Sequence, residues 1–305
     1  MKIEGLIAAT FATFHEDGSL NLDMIPELVN KLIEDGLRGV FICGTNGEGP
    51  NLTVEERMAV AEAYVKAVDK RMLTLVHVGH TSIAEARKLA THAALIGADA
   101  ISSVAAFYFK PASVESLVLC MAEIASAAPQ TPFYYYHVPA LTSVGLDMFE
   151  FLRLAEQRIP NLAGIKYTSS TLNEYQACLN YKAGKFDILF GYDEMLLAAL
   201  SVGAKGAIGS TYTFAGQLYL HIMDLYSQGR QAEAQAMQLQ SVEMVRCLGK
   251  YSPIPAQRAI MNMLGFNLGP CRLPLEDLVP EQAEELKEAL EACGFFALLN
   301  KCEAV

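Results

Sequence analysis

A loose internal repeat constrains this chain more than any other feature. Residues 32–44, 93–104 and 198–209 share one pattern, in which an amphipathic segment ends at a glycine (Gly36, Gly97, Gly203) and a short apolar run begins about three residues later. Glycine suits the position just past a helix C-terminus, because the left-handed backbone conformation costs it no Cβ clash. Each copy therefore reads as the helix-to-strand half of a βα unit. The apolar runs lack polar alternation, which suits parallel strands covered on both faces.

Extending the pattern predicts strands near residues 3–10, 39–43, 73–77, 100–104, 132–136, 163–166, 188–190 and 206–208. It predicts helices over 22–34, 54–68, 83–95, 114–127, 146–156, 172–181 and 194–201. Eight strands alternating with helices over about 215 residues match the size of an α/β fold of the (β/α)8 TIM-barrel type. A doubly wound open sheet is the weaker alternative, since no glycine signature for nucleotide binding stands where a strand meets a helix. Residues 217–227 read as the last barrel helix. Beyond it, 231–248, 256–264 and 280–293 read as helices with no strands between them, and 268–274 as a loop. The expected division is a catalytic barrel over 1–229 and a helical extension over 230–305, packed on the barrel as a lid or an oligomer surface.

Charge and cysteine usage narrow the function. A net charge of −11 argues against a nucleic-acid partner, and it means that an anionic substrate must be held by local donors. Seven scattered cysteines without a CxxC pair fit a reduced cytoplasm rather than a disulfide framework or a zinc site. No apolar run is long enough to span a membrane, and the N-terminus lacks the apolar region of a secretory signal. A cytoplasmic protein with no membrane partner is expected.

In a barrel of this kind, side chains at the C-terminal ends of the strands meet at one mouth. The sixth predicted strand ends on Lys166, the only charge from Asn161 through Thr171. Such a lysine either caps the strand with its ammonium in water, or is buried so that the uncharged amine can attack a carbonyl and form a Schiff base. The second strand ends Gly44-Thr45-Asn46-Gly47-Glu48-Gly49. Its glycines and successive amides suit a carboxylate or phosphate cradle, with Thr45 and Asn46 adding donors, although an ordinary glycine-rich turn would look the same. Glu48 reads as structural, since it would repel an anion. The fifth strand ends Tyr134-Tyr135-Tyr136-His137, where alternation puts Tyr134 and Tyr136 on one face. Tyr136 is thus a proton shuttle at the mouth or a core aromatic. Asp193 and Glu194 follow the seventh strand and either bind polyol hydroxyls or complement a helix dipole. Gly209-Ser210-Thr211-Tyr212 follows the eighth as a small polar turn. His77 and His80 find no third ligand, so no metal is expected.

Taken together, Gly44-Thr45-Asn46-Gly47-Glu48, Tyr136-His137-Val138-Pro139, Gly164-Ile165-Lys166 and Gly209-Ser210-Thr211-Tyr212 resemble the pyruvate-dependent aldolases of the N-acetylneuraminate lyase/dihydrodipicolinate synthase superfamily. The resemblance runs in order from Gly5 to about Pro274. The stretch Tyr136-His137-Val138-Pro139-Ala140-Leu141 and the turn Gly191-Tyr192-Asp193-Glu194 look like the lyase branch. The synthase branch usually carries an arginine where Leu141 stands.

This resemblance implies cleavage of N-acetylneuraminate, a sialic acid, to pyruvate and N-acetylmannosamine. Lys166 would form the imine, Tyr136 would be the general acid/base and Thr45 would orient the proton. Thr45 and Asn46 would hold the substrate carboxylate. Gly191, Asp193, Glu194 and Ser210 would bind the polyol end, and Thr168 would line the site. Neither cofactor nor metal is implied, because the protonated imine is itself the electron sink. The resemblance also implies a homotetramer, in which Tyr108 reaches a neighbouring subunit's site. Asn46 stands where Ser or Thr is usual, His137 where Asn is common, and Ala12, Ala106 and Thr213 also depart from the pattern; these changes bear on rim and substrate preference. The alternatives are another pyruvate-dependent aldolase, acting on a 2-keto-3-deoxy sugar acid or making dihydrodipicolinate, and a non-catalytic barrel that binds sugar acids.

Overall fold

The apolar runs of the repeat become the staves of a barrel. A computed structural model describes residues 1–302; the last three residues of the predicted extension lie outside the described residues. The strands are β1 Gly5–Ala9, β2 Gly39–Ile42, β3 Leu73–His77, β4 Ala100–Val104, β5 Phe133–His137, β6 Leu162–Tyr167, β7 Asp187–Phe190 and β8 Gly206–Gly209. Each pairs in parallel with the next, and β8 pairs with β1, which closes the sheet. The three repeat glycines take positive φ (78°, 80° and 109°), as their place after a helix requires.

The helices are α1 Ile25–Glu34, α2 Val54–Val68, α3 Ile83–Leu95, α4 Val114–Ala125, α5 Pro139–Thr142, α6 Met148–Arg158, α7 Leu172–Asn180, α8 Leu196–Ser201, α9 Tyr212–Ser227, α10 Gln231–Leu248, α11 Pro253–Met263, α12 Pro280–Ala292 and α13 Phe295–Cys302. Several starts differ from the sequence reading for local reasons. Helix α9 begins at Tyr212 rather than 217, with a kink at Ala215 (φ −129°). Its first turn is drawn to the barrel, where Thr213 Oγ1 donates to the Ala9 carbonyl at 3.3 Å. Helix α11 begins at Pro253 because a first-turn proline gives up no helical hydrogen bond. Helix α8 starts late because Asp193–Met195 form a 3-10 turn. The short α5 and the last helix, α13, were not expected.

Strand alternation divides the apolar residues into two cores. Ile7, Ala9, Phe41, Leu75, Tyr134, Tyr136, Leu189 and Ile208 face the barrel axis. Tyr135, Ile165, Tyr167 and Phe190 face the helices, in the larger cluster. Low in the barrel, Tyr134 Oη donates to Asp187 Oδ2 at 2.8 Å, and that oxygen also accepts from the Ile3 amide at 3.1 Å. This polar knot fills the lower interior and leaves the upper end for a site. No helix among the described residues is long and apolar enough to cross a membrane.

The C-terminal helices are pinned to the mouth. Arg258 of α11 is buried and pairs with the equally buried Glu48 at 2.9 Å. Its other donors reach the carbonyls of Ala12 (2.7 Å) and Leu268 (3.0 Å). Glu48 thus holds the extension in place, in keeping with the structural role read from its charge.

Candidate active site

Lys166 sits at an inward position of β6, between the outward Ile165 and Tyr167, so the strand itself delivers its side chain to the axis. The residue is 4 % exposed. Its Nζ lies 4.2 Å from the centroid of the Phe41 ring and 4.0 Å from that of Tyr136. Among the described residues no carboxylate pairs with it. Its burial against two aromatic faces, with no paired carboxylate, does not match a strand cap whose ammonium reaches water.

Tyr136 is the inward residue of β5 beside it. Its hydroxyl lies 3.5 Å from Thr45 Oγ1, a long contact of the kind that tightens when substrate fills a site. Two rings set its tilt: Phe41 packs edge-on at 5.7 Å and His77 at 6.0 Å, between centroids. His77 is itself fixed. Its Nδ1 contacts the Cys43 carbonyl at 3.2 Å, while its Nε2 accepts from the Val104 amide at 3.3 Å. Burial, and then the charges of Arg57 and Lys166, push its pKa well below the ordinary histidine value, so it is a neutral prop. Buried Arg57 locks the prop from behind by donating to the carbonyls of His77 (2.6 Å) and Gly79 (2.8 Å). Sequence reasoning weighed His77 only as a metal ligand and missed Arg57, which carries no local signal beyond an ordinary charge on a helix.

A cleft of about 500 Å³ opens above these residues. Thr45, Asn46, Tyr136, Lys166, Thr168, Gly191, Asp193, Glu194 and Ser210 all line it, so nine of the ten positions singled out in the sequence are brought together. Tyr108 is not. It is 77 % exposed on the loop after β4, stacked edge-on with Phe109 at 5.0 Å. One wall comes from the C-terminal helices through Val245, Leu248, Ile254 and Gln257. Nothing local in the sequence marks these four, because they reach the site only by packing.

Two glycines make room for neighbouring polar groups. A Cβ on Gly191 would stand 2.1 Å from Thr168 Oγ1, and one on Gly209 would stand 1.9 Å from Asp193 Oδ1. Both of those oxygens are buried and have no hydrogen-bond partner within the protein. Unpartnered buried polar atoms lining a cleft are what a polar ligand would satisfy. The other oxygen of Asp193, Oδ2, accepts from the Thr211 amide at 2.8 Å and the Thr211 hydroxyl at 2.6 Å. Burial outweighs these bonds and lifts the Asp193 pKa to about 6.

The Asn46 side chain plays a different part from the one expected. Its Nδ2 donates to the Ala9 carbonyl and to Gln257 Oε1, both at 3.1 Å. Both amide hydrogens are therefore used inside the protein, and only the backbone N–H of Asn46 remains for an anion. Among the described residues no cluster of His, Cys, Asp and Glu could hold a metal ion.

Comparisons with known proteins converge. A model of the dihydrodipicolinate synthetase family matches residues 2–293. The N-acetylneuraminate lyase of Xenopus tropicalis is 41 % identical over 279 residues, covering 90 % of this chain and 91 % of that protein. Among solved structures, the N-acetylneuraminate lyase (sialic acid aldolase) of Aliivibrio salmonicida superposes with a TM-score of 0.94 at 40 % identity, covering 97 % of this chain and 98 % of that one. A dihydrodipicolinate synthase of Bacillus anthracis superposes with a TM-score of 0.90 at 27 % identity, covering 96 % and 99 %.

Proposed function

The chain belongs to the dihydrodipicolinate synthetase family, and from that premise we propose that it is a Schiff-base lyase cleaving N-acetylneuraminate to pyruvate and N-acetylmannosamine. The observation that carries the reading is the buried, unpaired Lys166 amine set against Tyr136 at the floor of a polar-lined cleft.

Each residue has a chemical task. Lys166 Nζ attacks the keto carbon of the open-chain sugar acid, and loss of water leaves a protonated imine. The backbone amides of Thr45 and Asn46, with the Thr45 hydroxyl, hold the adjacent carboxylate. Tyr136 accepts the proton of the C4 hydroxyl, assisted by Thr45. The C3–C4 bond then breaks, and its electron pair moves into the imine to give an enamine. N-acetylmannosamine leaves as the aldehyde. Protonation of the enamine at C3 and hydrolysis of the imine release pyruvate and regenerate Lys166. The electron sink is built from substrate and lysine, so no cofactor enters the scheme. Thr168 and Asp193 offer unpartnered oxygens to the polyol end, beside Gly191, Glu194 and Ser210.

Leu141 lines the same cleft, where the resembled synthases usually have arginine, and this favours a neutral polyol over a second carboxylate. We further propose a cytoplasmic homotetramer. The described cysteines are free, which fits a reducing compartment. Tyr108 and Phe109, 77 % and 86 % exposed, form an apolar patch that suits burial against another copy. Residues 1–229 would be the catalytic barrel and 230–305 the extension that supplies one wall.

The test is borohydride reduction with pyruvate, followed by a substrate panel. An adduct on Lys166, and pyruvate release from N-acetylneuraminate, are expected. Absence of the adduct in folded protein refutes the imine. Cleavage of 2-keto-3-deoxygluconate alone reassigns the substrate.

A further inference from the structure

Consecutive residues of α11 enter the barrel mouth with different chemistry. Arg258 neutralises Glu48, whereas Gln257, 5 % exposed, reaches the cleft wall and touches both loops that hold substrate in the lyase reading. Its Oε1 accepts from Asn46 Nδ2 at 3.1 Å, and its Nε2 donates to Ser210 Oγ at 3.2 Å.

The direction of this chain of bonds is fixed at one end. The Ala9 carbonyl can only accept, so Asn46 must turn its NH2 group toward it. The same NH2 group then faces Gln257, which must answer with its oxygen. The Gln257 NH2 group is left facing Ser210, whose oxygen accepts. The hydroxyl hydrogen of Ser210 is thereby freed to point elsewhere, and Ser210 becomes a donor into the cleft.

We propose that Gln257 is a positioning residue that sets Ser210 as a hydrogen-bond donor to the sugar half of the substrate and withdraws the Asn46 side chain from the carboxylate. The carboxylate is then held by backbone amides and Thr45 alone. This gives a physical account of why asparagine is accommodated where Ser or Thr is usual: its second amide hydrogen has a dedicated partner, supplied by a helix far along the chain. The proposal rests on the lyase reading above.

A double-mutant cycle tests it, with KM and kcat for N-acetylneuraminate, thermal midpoint and borohydride trapping recorded for every variant. Gln257→Leu leaves an Asn46 N–H unpaired and frees Ser210; KM should rise about tenfold, the equivalent of one hydrogen bond, with kcat changed by less than about threefold. Asn46→Thr alone leaves the Gln257 oxygen unpaired and should also raise KM. The double variant leaves neither group orphaned, so its KM should lie well below the product of the two single effects. Should Gln257→Leu fail to fold, Gln257→Glu retains the acceptor for Asn46 and loses the donor to Ser210, and KM should again rise about tenfold.

Single effects that multiply overturn the proposal. So does a KM within about twofold of the parent when only the thermal midpoint falls, since that is the mark of a structural role. Loss of the pyruvate adduct on Lys166 in the unmutated protein refutes the lyase reading itself; an adduct that forms normally, with uncoupled KM effects, refutes the role of Gln257 alone.

Discussion

Tyr136 and Lys166 are register partners on the neighbouring parallel strands β5 and β6, and the Lys166 amine rests 4.0 Å from the centroid of the Tyr136 ring. Their spacing is therefore a property of sheet pairing, not of side-chain reach. Phe41 and His77 brace the ring from β2 and β3, so four strands fix the pair. That rigidity is what positioned acid/base and nucleophilic chemistry requires.

Lys166→Ala should lower turnover by about four orders of magnitude or more, since a positioned nucleophile is removed outright. Steady-state assay with N-acetylneuraminate and borohydride trapping check it. The variant should fold normally, because Lys166 anchors no ion pair. Turnover near that of the parent refutes the imine.

Tyr136→Phe keeps the ring against Lys166, Phe41 and His77 and removes only the hydroxyl. We expect kcat for cleavage to fall about 10²- to 10⁴-fold, the range of a general acid/base contribution, while the pyruvate adduct still forms. Cleavage at the parent rate removes Tyr136 from proton transfer.

Asp193 yields a prediction with a definite sign. Burial raises its pKa to about 6 in the native state, against an ordinary 3.8 in the unfolded chain. The buried carboxyl favours the folded state while protonated. That contribution is fully present below about pH 4 and is lost as pH rises through about 6. Asp193→Asn removes this dependence. The thermal midpoint of the variant relative to the parent should therefore climb between about pH 4 and pH 7, by the equivalent of up to about 3 kcal/mol. A flat difference across that window refutes the raised pKa.

Arg258→Ala should cost about 3–5 kcal/mol in denaturant unfolding, because it strands the Glu48 carboxylate in the interior. Replacing both partners, as Glu48→Gln with Arg258→Met, should cost much less. Equal losses for the single and double variants would show that the pair is not the fastening between extension and barrel.

Phe109→Glu should break the proposed assembly. A charge in a buried apolar contact amounts to a hot-spot loss of about 2 kcal/mol, so association should weaken about 30-fold or more. Light scattering reads the mass directly. A monomeric parent protein refutes the tetramer, and an intact tetramer in the variant places the interface elsewhere.

The barrel, the order of its strands and the shared face of Tyr134 and Tyr136 follow from the sequence by itself, whereas the burial of Lys166 among aromatic rings does not. Glycine at helix ends, unbroken apolar runs and two-residue alternation are local signals, and local physics decides them. The cradle at Thr45 and Asn46 was legible as a loop but not in its bonding. Its amide partners are Ala9, on another strand, and Gln257, more than two hundred residues away. Only the tertiary structure decided that Gln257 and Ile254 wall the cleft, that Arg57 locks His77 behind Tyr136, and that Tyr108 faces outward from its own chain. Each of these depends on which helix packs over which strand end once the barrel has closed. That juxtaposition is set by burial summed over the whole molecule, and it leaves no periodic mark on the residues it brings together.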